Sequence, residues 1–302
     1  MKKNFAILGM AALLVATATF AQDQDYSKVQ VKPTKLSATV WMMEGAGGNL
    51  GVSAGEDTVF LVDSQFAPLT PKIEAAIKAI SPKPVQFLVN THWHFDHVGG
   101  NENIGKTGAI IVAHDNVRKR MGADQFMASF NQTVKASPKV ALPIVTFAEG
   151  LSFHLNGEQI RVIHVPHAHT DGDAIIHFMG SDVVHMGDTF FNGMYPFIDP
   201  ESGGHIDGMI AAADQVIAMT TDKTRIIPGH GPLGSRADLK AFRDMLATVS
   251  ERVKKAIAEG KTNEDISKAG LTRDLDEKWG KGFLKPDQFA GLVAVGIRKG
   301  AR

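Results

Sequence analysis

The stretch Asn90-Thr91-His92-Trp93-His94-Phe95-Asp96-His97-Val98-Gly99-Gly100 decides how the rest of this chain is read. Three imidazoles and a carboxylate fall within six residues, behind an apolar run (Val85, Phe87, Leu88, Val89) that predicts a buried strand. In an extended segment alternate side chains share a face, so His92, His94 and Asp96 can point one way. His97, adjacent to Asp96, must then point another way. One peptide can thus serve two neighbouring metals, with His92 and His94 on the first and Asp96 and His97 on the second. Neutral imidazole and carboxylate are ligands that zinc accepts outside all-thiolate sites. Gly99-Gly100 lets the backbone turn where side chains would crowd the ions.

The rest of a ligand set stands further along the chain. His169 lies in Pro166-His167-Ala168-His169-Thr170-Asp171-Gly172-Asp173, Asp188 in Met186-Gly187-Asp188-Thr189, and His230 in Pro228-Gly229-His230-Gly231-Pro232. Each follows a short apolar strand, where loops hold reactive groups on a rigid sheet. This H-x-H-x-D-H, H, D, H series resembles the metallo-β-lactamase superfamily, which includes class B β-lactamases, glyoxalase II and metal-dependent lactonases. The resemblance covers roughly residues 36 to 235.

The resemblance implies an α+β fold, the four-layer αββα sandwich, with the metals at one edge and a helical C-terminal extension behind it. It implies two Zn²⁺ ions per chain. His92, His94 and His169 would hold the first, and Asp96, His97 and His230 the second. Asp188 would bridge both or bind the second, and as a harder ligand than Cys it would tolerate Fe or Mn beside zinc. The implied chemistry is a zinc-bound hydroxide attacking a carbonyl, with Asp96 orienting the nucleophile and relaying a proton. The family often carries an Asp at the position of Asp63 that hydrogen-bonds a ligand histidine; a strand-end turn residue is the alternative.

Around this region the chain divides into four parts. Residues 1–21 read as a signal peptide, with Lys2-Lys3, an apolar run from Phe5 to Val15 and small residues before Ala21. The apolar run is short for a bilayer span, so export to the periplasm is expected, with no membrane attachment after cleavage. Residues 22–35 form an N-terminal extension, its polar start expected to be disordered. Residues 36–235 make the metal-binding domain and 236–302 a helical segment packed on it, available for oligomer contact. Cysteine is absent, which removes disulfides and thiolate ligands alike. A formal net charge of zero, with no long run of one sign, gives no electrostatic footprint for nucleic acid or an anionic membrane. The expected partner is a small-molecule substrate.

Within the domain, Leu36 to Glu44 reads as a strand, Asn156-Gly157 as a hairpin turn and Ile206 to Met219 as an amphipathic helix. Ser235/Asp238 and Thr262/Asp265 read as capping boxes. Residues 122–143 carry apolar residues without a period, as a lid or a loose helical insertion. The seven histidines outside the ligand set read as structural, with His167 close enough to brush the site.

Trp41 and Met43 are expected on an apolar pocket wall, because the family's first hairpin overhangs the metals. Phe190, Phe191, Met194, Tyr195 and Phe197 are expected at its rim, suited to a hydrophobic ligand. Asp188 matches glyoxalase II and lactonases better than the Cys-bearing β-lactamases. Many class B1 enzymes carry a Lys three residues beyond that Cys; Phe190-Phe191-Asn192-Gly193 has no cation. Export still favours β-lactam hydrolysis, so the reading is a dinuclear zinc hydrolase with β-lactamase activity. A lactonase, esterase or thioesterase with the same metals is the alternative, and a non-catalytic metal-binding accessory protein a third.

Overall fold

The computed structural model describes residues 25–300; the expected signal peptide lies outside them. The strands run in chain order as β1 (Lys32–Lys35), β2 (Val40–Glu44), β3 (Leu50–Ala54), β4 (Val59–Val62), β5 (Val85–Val89), β6 (Ile110–His114), β7 (Gln125–Met127), β8 (Gln132–Val134) and β9 (Val145–Phe147). They continue as β10 (Gly150–Leu155), β11 (Glu158–His164), β12 (Ala174–Phe178), β13 (Val183–His185), β14 (Arg225–Ile227) and β15 (Gly234–Ser235). One sheet has the order β1-β2-β3-β4-β5-β6-β9 and the other β10 to β15, while β7 and β8 form a separate hairpin.

Side-chain alternation along the strands builds the layers. Met42, Phe60, Val62, Val89 and Val112 of the first sheet meet Ile160, Val162, Ile176, Phe178 and Val183 of the second in a core between the sheets. On the outer face of the first sheet, Leu61 and Leu88 cluster with Ile73 and Ile77 of the helix Thr70–Ile80. That helix is the crossover that the parallel pair β4 and β5 requires. On the outer face of the second sheet, Ile175, Val184 and Ile226 pack with the helices Ile206–Met219, Arg236–Ala258 and Pro286–Gly300. The result is a four-layer αββα sandwich. Both capping boxes form, and Asn156 and Gly157 take the positive φ values of 53° and 79° that a tight hairpin turn demands.

The strand directions gather the loops. Asp63 and Asn90 follow the parallel strands β4 and β5, while Asp188 and Pro228 follow the parallel strands β13 and β14. β11 runs alongside them two strands over and delivers the His169 loop to the same edge.

Three expectations are corrected. From Asp25 on, the expected N-terminal extension is ordered: Tyr26–Lys28 form a helical turn and β1 pairs with β2, while Lys72 Nζ donates to the carbonyls of Tyr26, Ser27 and Val29 and ties the segment down. The strand read from Leu36 starts at Val40, since Ser37 Oγ accepts from Thr39 and Val40 N–H and turns the chain first. Residues 122–143 are neither loose nor mainly helical: β7 and β8 pair through a turn in which Asn131 takes φ 48°.

Candidate metal centre and active site

His92, His94 and His169 bring one nitrogen each to within 4.8 Å of one another, and so do the ligand atoms of Asp96, His97 and His230; His92, His97 and Asp188 form a third such group between them. Asp188 is the hub. Its carboxylate oxygens lie 3.0 Å from His97 Nε2, 3.4 Å from His230 Nε2, 3.5 Å from His169 Nε2 and 3.9 Å from His92 Nε2.

The local backbone differs from the extended reading. His94 is extended and heads a helical turn, Phe95–Val98, closed by His97 and Val98 N–H groups donating to the His94 carbonyl. Strand alternation therefore does not carry through to Asp96. The helical turn swings Asp96 and His97 onto the second group.

Each imidazole is held from behind. His97 Nδ1–H donates to Asp63 Oδ2 at 2.8 Å, and Thr91 Oγ1–H donates to the same oxygen at 2.7 Å. Thr91 Oγ1 lies 3.0 Å from His92 Nδ1 and, its own proton spent on Asp63, accepts from that nitrogen. One buried carboxylate thus steadies both rings. Asp63 does so at φ 61°, a conformation that costs a non-glycine residue about 1–2 kcal/mol. His94 Nε2–H donates to Asp199 Oδ2 at 3.0 Å, and His169 Nδ1–H to the Phe197 carbonyl at 2.7 Å. Asp173 Oδ2 accepts from the backbone N–H groups of His169 and Thr170. These partners fix the tautomers and leave His92 Nε2, His94 Nδ1, His169 Nε2 and His97 Nε2 facing inward.

The donors fit a metal. His92 Nε2 is buried without a hydrogen-bond partner, and Asp188 Oδ1 makes no hydrogen bond, only the ion-pair contact with His97; a cation between them would complete both. The approach is also cleared of side chains: a Cβ on Gly48 would overlap the His97 ring, and one on Gly229 would overlap Asp188 Oδ1.

The electrostatics split the centre in two. Burial, helped by the neighbouring His97, lowers His92 well below the ordinary imidazole range, and burial lowers His169 to about 4. Burial opposes charge on His97 as well, but Asp188, Asp96 and Asp63 outweigh it and raise its pKa well above the usual value. His230, buried yet facing Asp188 and Asp96, is raised to about 9. Asp96 goes down to about 2, because His97 and His230 overcome its burial, and Asp188 is lowered well below the carboxylate range in the same way.

A cavity of about 210 Å³ opens beside Asp96, Asp188, His94 and His230. Asp96 and His230 keep 20% of their side-chain surface exposed, against 5% or less for the rest of the donor set, so the centre meets the cavity there.

Of the expected pocket residues, Phe197 lines the cavity and the others lie elsewhere. Met43 is buried in the first outer core, and Trp41 packs there with Lys35 Nζ 5.4 Å over its ring. Phe190 lies 5.3 Å from Phe242, and Tyr195 stacks on Phe289 at 4.7 Å while its hydroxyl donates to Asp276. The C-terminal helices claim both of these rings. Phe191, fully buried, stacks 5.1 Å from His230 and backs the centre instead of rimming the cavity. The actual lining includes Phe66, Phe95, Met127, Phe130, Gln132, Phe197 and Phe283. Of these, the residues from 122–143 had one sequence signal, the turn-forming Asn131; Asp199, the partner of His94, had none.

A fold and a donor set of this kind define a metal-dependent hydrolase. The family model of the metallo-beta-lactamase superfamily matches residues 44–230, and the chain belongs to that superfamily. A hydroxyacylglutathione hydrolase of Polaromonas sp. is 24% identical over 219 residues, covering 72% of this chain and 74% of the relative. A second, from Nitrosococcus oceani, is 31% identical over 147 residues, and the match spans about half of each protein, 47% in both. Among solved structures, a metallo-beta-lactamase from Pontibacter korlensis superposes with a TM-score of 0.59 at 20% identity, over 72% of this chain and 99% of that one.

Proposed function

We propose that this protein hydrolyses an ester, thioester or lactone with two zinc ions, His92, His94 and His169 holding one, Asp96, His97 and His230 the other, and Asp188 between them. The observation that carries this reading is that Asp96, Asp188 and His230 border a largely apolar cavity in which, among the described residues, none that lines it is Lys or Arg. Bound zinc supplies Lewis acidity and a nucleophile at neutral pH. Asp96, ionised at its low pKa and open to the cavity, turns Oδ2 toward His97 and His230 and would orient the attacking water with its other oxygen. A carboxylate so acidic orients the water's proton without storing it, and passes it toward the departing alkoxide or thiolate. Asp63, Asp199 and the Phe197 carbonyl hold the imidazoles in place throughout.

Hydrolysis of a β-lactam is the second reading, favoured by the signal peptide expected at residues 1–21 and by the periplasmic location it would give. Against its ranking first, a β-lactam carboxylate would find no Lys or Arg among the described residues that line the cavity. Initial rates of the zinc-loaded protein on an acetyl thioester and on a chromogenic cephalosporin, with Asp96→Ala as blank, separate the two. Thioester turnover that vanishes in the blank supports the first; efficient cephalosporin turnover alone overturns it in favour of the second.

The electrostatic split predicts a proton count. Zinc entering at His97 and His230 must displace their protons, whereas His92 and His169 are already neutral at pH 7. The second zinc is therefore expected to release protons and to bind more tightly as pH rises toward about 9, the value to which His230 is raised. Calorimetry in buffers of different ionisation enthalpy reads this directly, and equal proton release for both ions would contradict it.

A further inference from the structure

We infer that the cavity beside Asp96, Asp188 and His230 receives the acyl part of an uncharged substrate, and that this part is an aromatic ring or a group of similar bulk. The chemistry rests on the hydrolase reading above; the recognition argument stands on the cavity itself. Phe66, Phe95, Met127, Phe130, Phe197 and Phe283 line it. Two pairs of rings recur, Phe130 with Phe197 at 5.0 Å and Phe66 with Phe95 at 5.9 Å, both tilted as aromatic contacts prefer. Phe197 also lies 5.9 Å from both His94 and His169, so an apolar group seated on it lies next to the donor set.

Size and charge narrow the ligand. A dry apolar cavity of about 150 Å³ takes benzene; at about 210 Å³ this one holds a ring and its link to a carbonyl. Phe283, contributed from beyond the family-matched region, remains 46% exposed at the cavity and is covered when a ring enters. Apart from the donor set, the polar lining residue is Gln132. A free carboxylate on the acyl group would lose its hydration there, meet no Lys or Arg among the described lining residues, and face Asp96. Neutral acyl groups are therefore admitted and acidic ones refused.

The test compares acetyl, phenylacetyl and succinyl thioesters of one thiol, N-acetylcysteamine, on the zinc-loaded protein. Hydrolysis breaks the acyl C–S bond, forms a C–O bond to the oxygen of water, and releases the acid and the thiol. The expected kcat/KM for phenylacetyl exceeds that for acetyl by about ten- to hundredfold, the range for burying a side chain of that size, with succinyl at or below acetyl. Phe283→Ala shrinks the phenylacetyl-to-acetyl ratio severalfold. Gln132→Lys raises succinyl relative to acetyl. Acetyl equal to phenylacetyl, or succinyl the best of the three, overturns the inference. If no thioester is cleaved, calorimetric binding of N-methylphenylacetamide decides: binding that Phe283→Ala weakens keeps the cavity assignment and removes the hydrolase reading, while no binding removes the assignment too.

Discussion

Asp188→Asn is expected to lower hydrolysis by about three orders of magnitude or more, on the scale of losing a directly acting group, and to take metal content below two ions per chain. The substitution conserves volume, so no cavity opens and the sandwich stays intact. What it removes is the charge on which four imidazole nitrogens converge within 3.9 Å. An amide in that place offers one weaker oxygen and turns an N–H group toward rings that already present their metal-facing nitrogens. Metal analysis alongside initial rates checks both parts, with circular dichroism as the folding control. Two retained ions and full activity would remove Asp188 from the centre.

The second large effect comes from a single methyl group on a residue that is not itself a donor. Gly229→Ala puts a Cβ onto Asp188 Oδ1, and also 2.6 Å from the Gly187 carbonyl carbon and 2.7 Å from the Asp188 nitrogen. Neither loop can retreat easily, because Gly229 N–H donates to the carbonyls of Gly187 and Phe190 and locks the two together. Asp188 must move instead, and a displacement near 1 Å costs about a hundredfold in rate. Gly291→Ala is the matched control: it lies in the helix Pro286–Gly300, and its Cβ meets only the Ser267 side chain at 3.4 Å. Activity and metal content are expected to fall in the first variant and hold in the second. A Gly229→Ala protein that keeps both would show that the loops carry slack.

These contrasts explain what could be read from the chain and what could not. The donor residues are concentrated in short motifs after strands, and it was their resemblance to the superfamily's series that let them be read as one set; the strand ends bring His92, His169, Asp188 and His230 together. The geometry within the first motif was less legible, because alternation assumes a strand and the turn at Phe95–Val98 is helical. Ring placement failed for another reason. Phe190 and Tyr195 sit close to Asp188 in sequence, yet Phe242 and Phe289, some fifty and ninety residues on, draw them into the helical layer. The rings that do face the cavity come from five separate stretches around Phe66, Phe95, Phe130, Phe197 and Phe283. No period connects them, and only the fold brings them to one place. Asp199 is the same case in miniature: nothing local marks it, and it holds His94 from 105 residues away.

The most direct measurement is anomalous diffraction at the zinc edge from zinc-loaded crystals. The account predicts two peaks, one bounded by His92, His94 and His169 and one by Asp96, His97 and His230, with Asp188 touching both or the second. One peak, or peaks away from these residues, would contradict it.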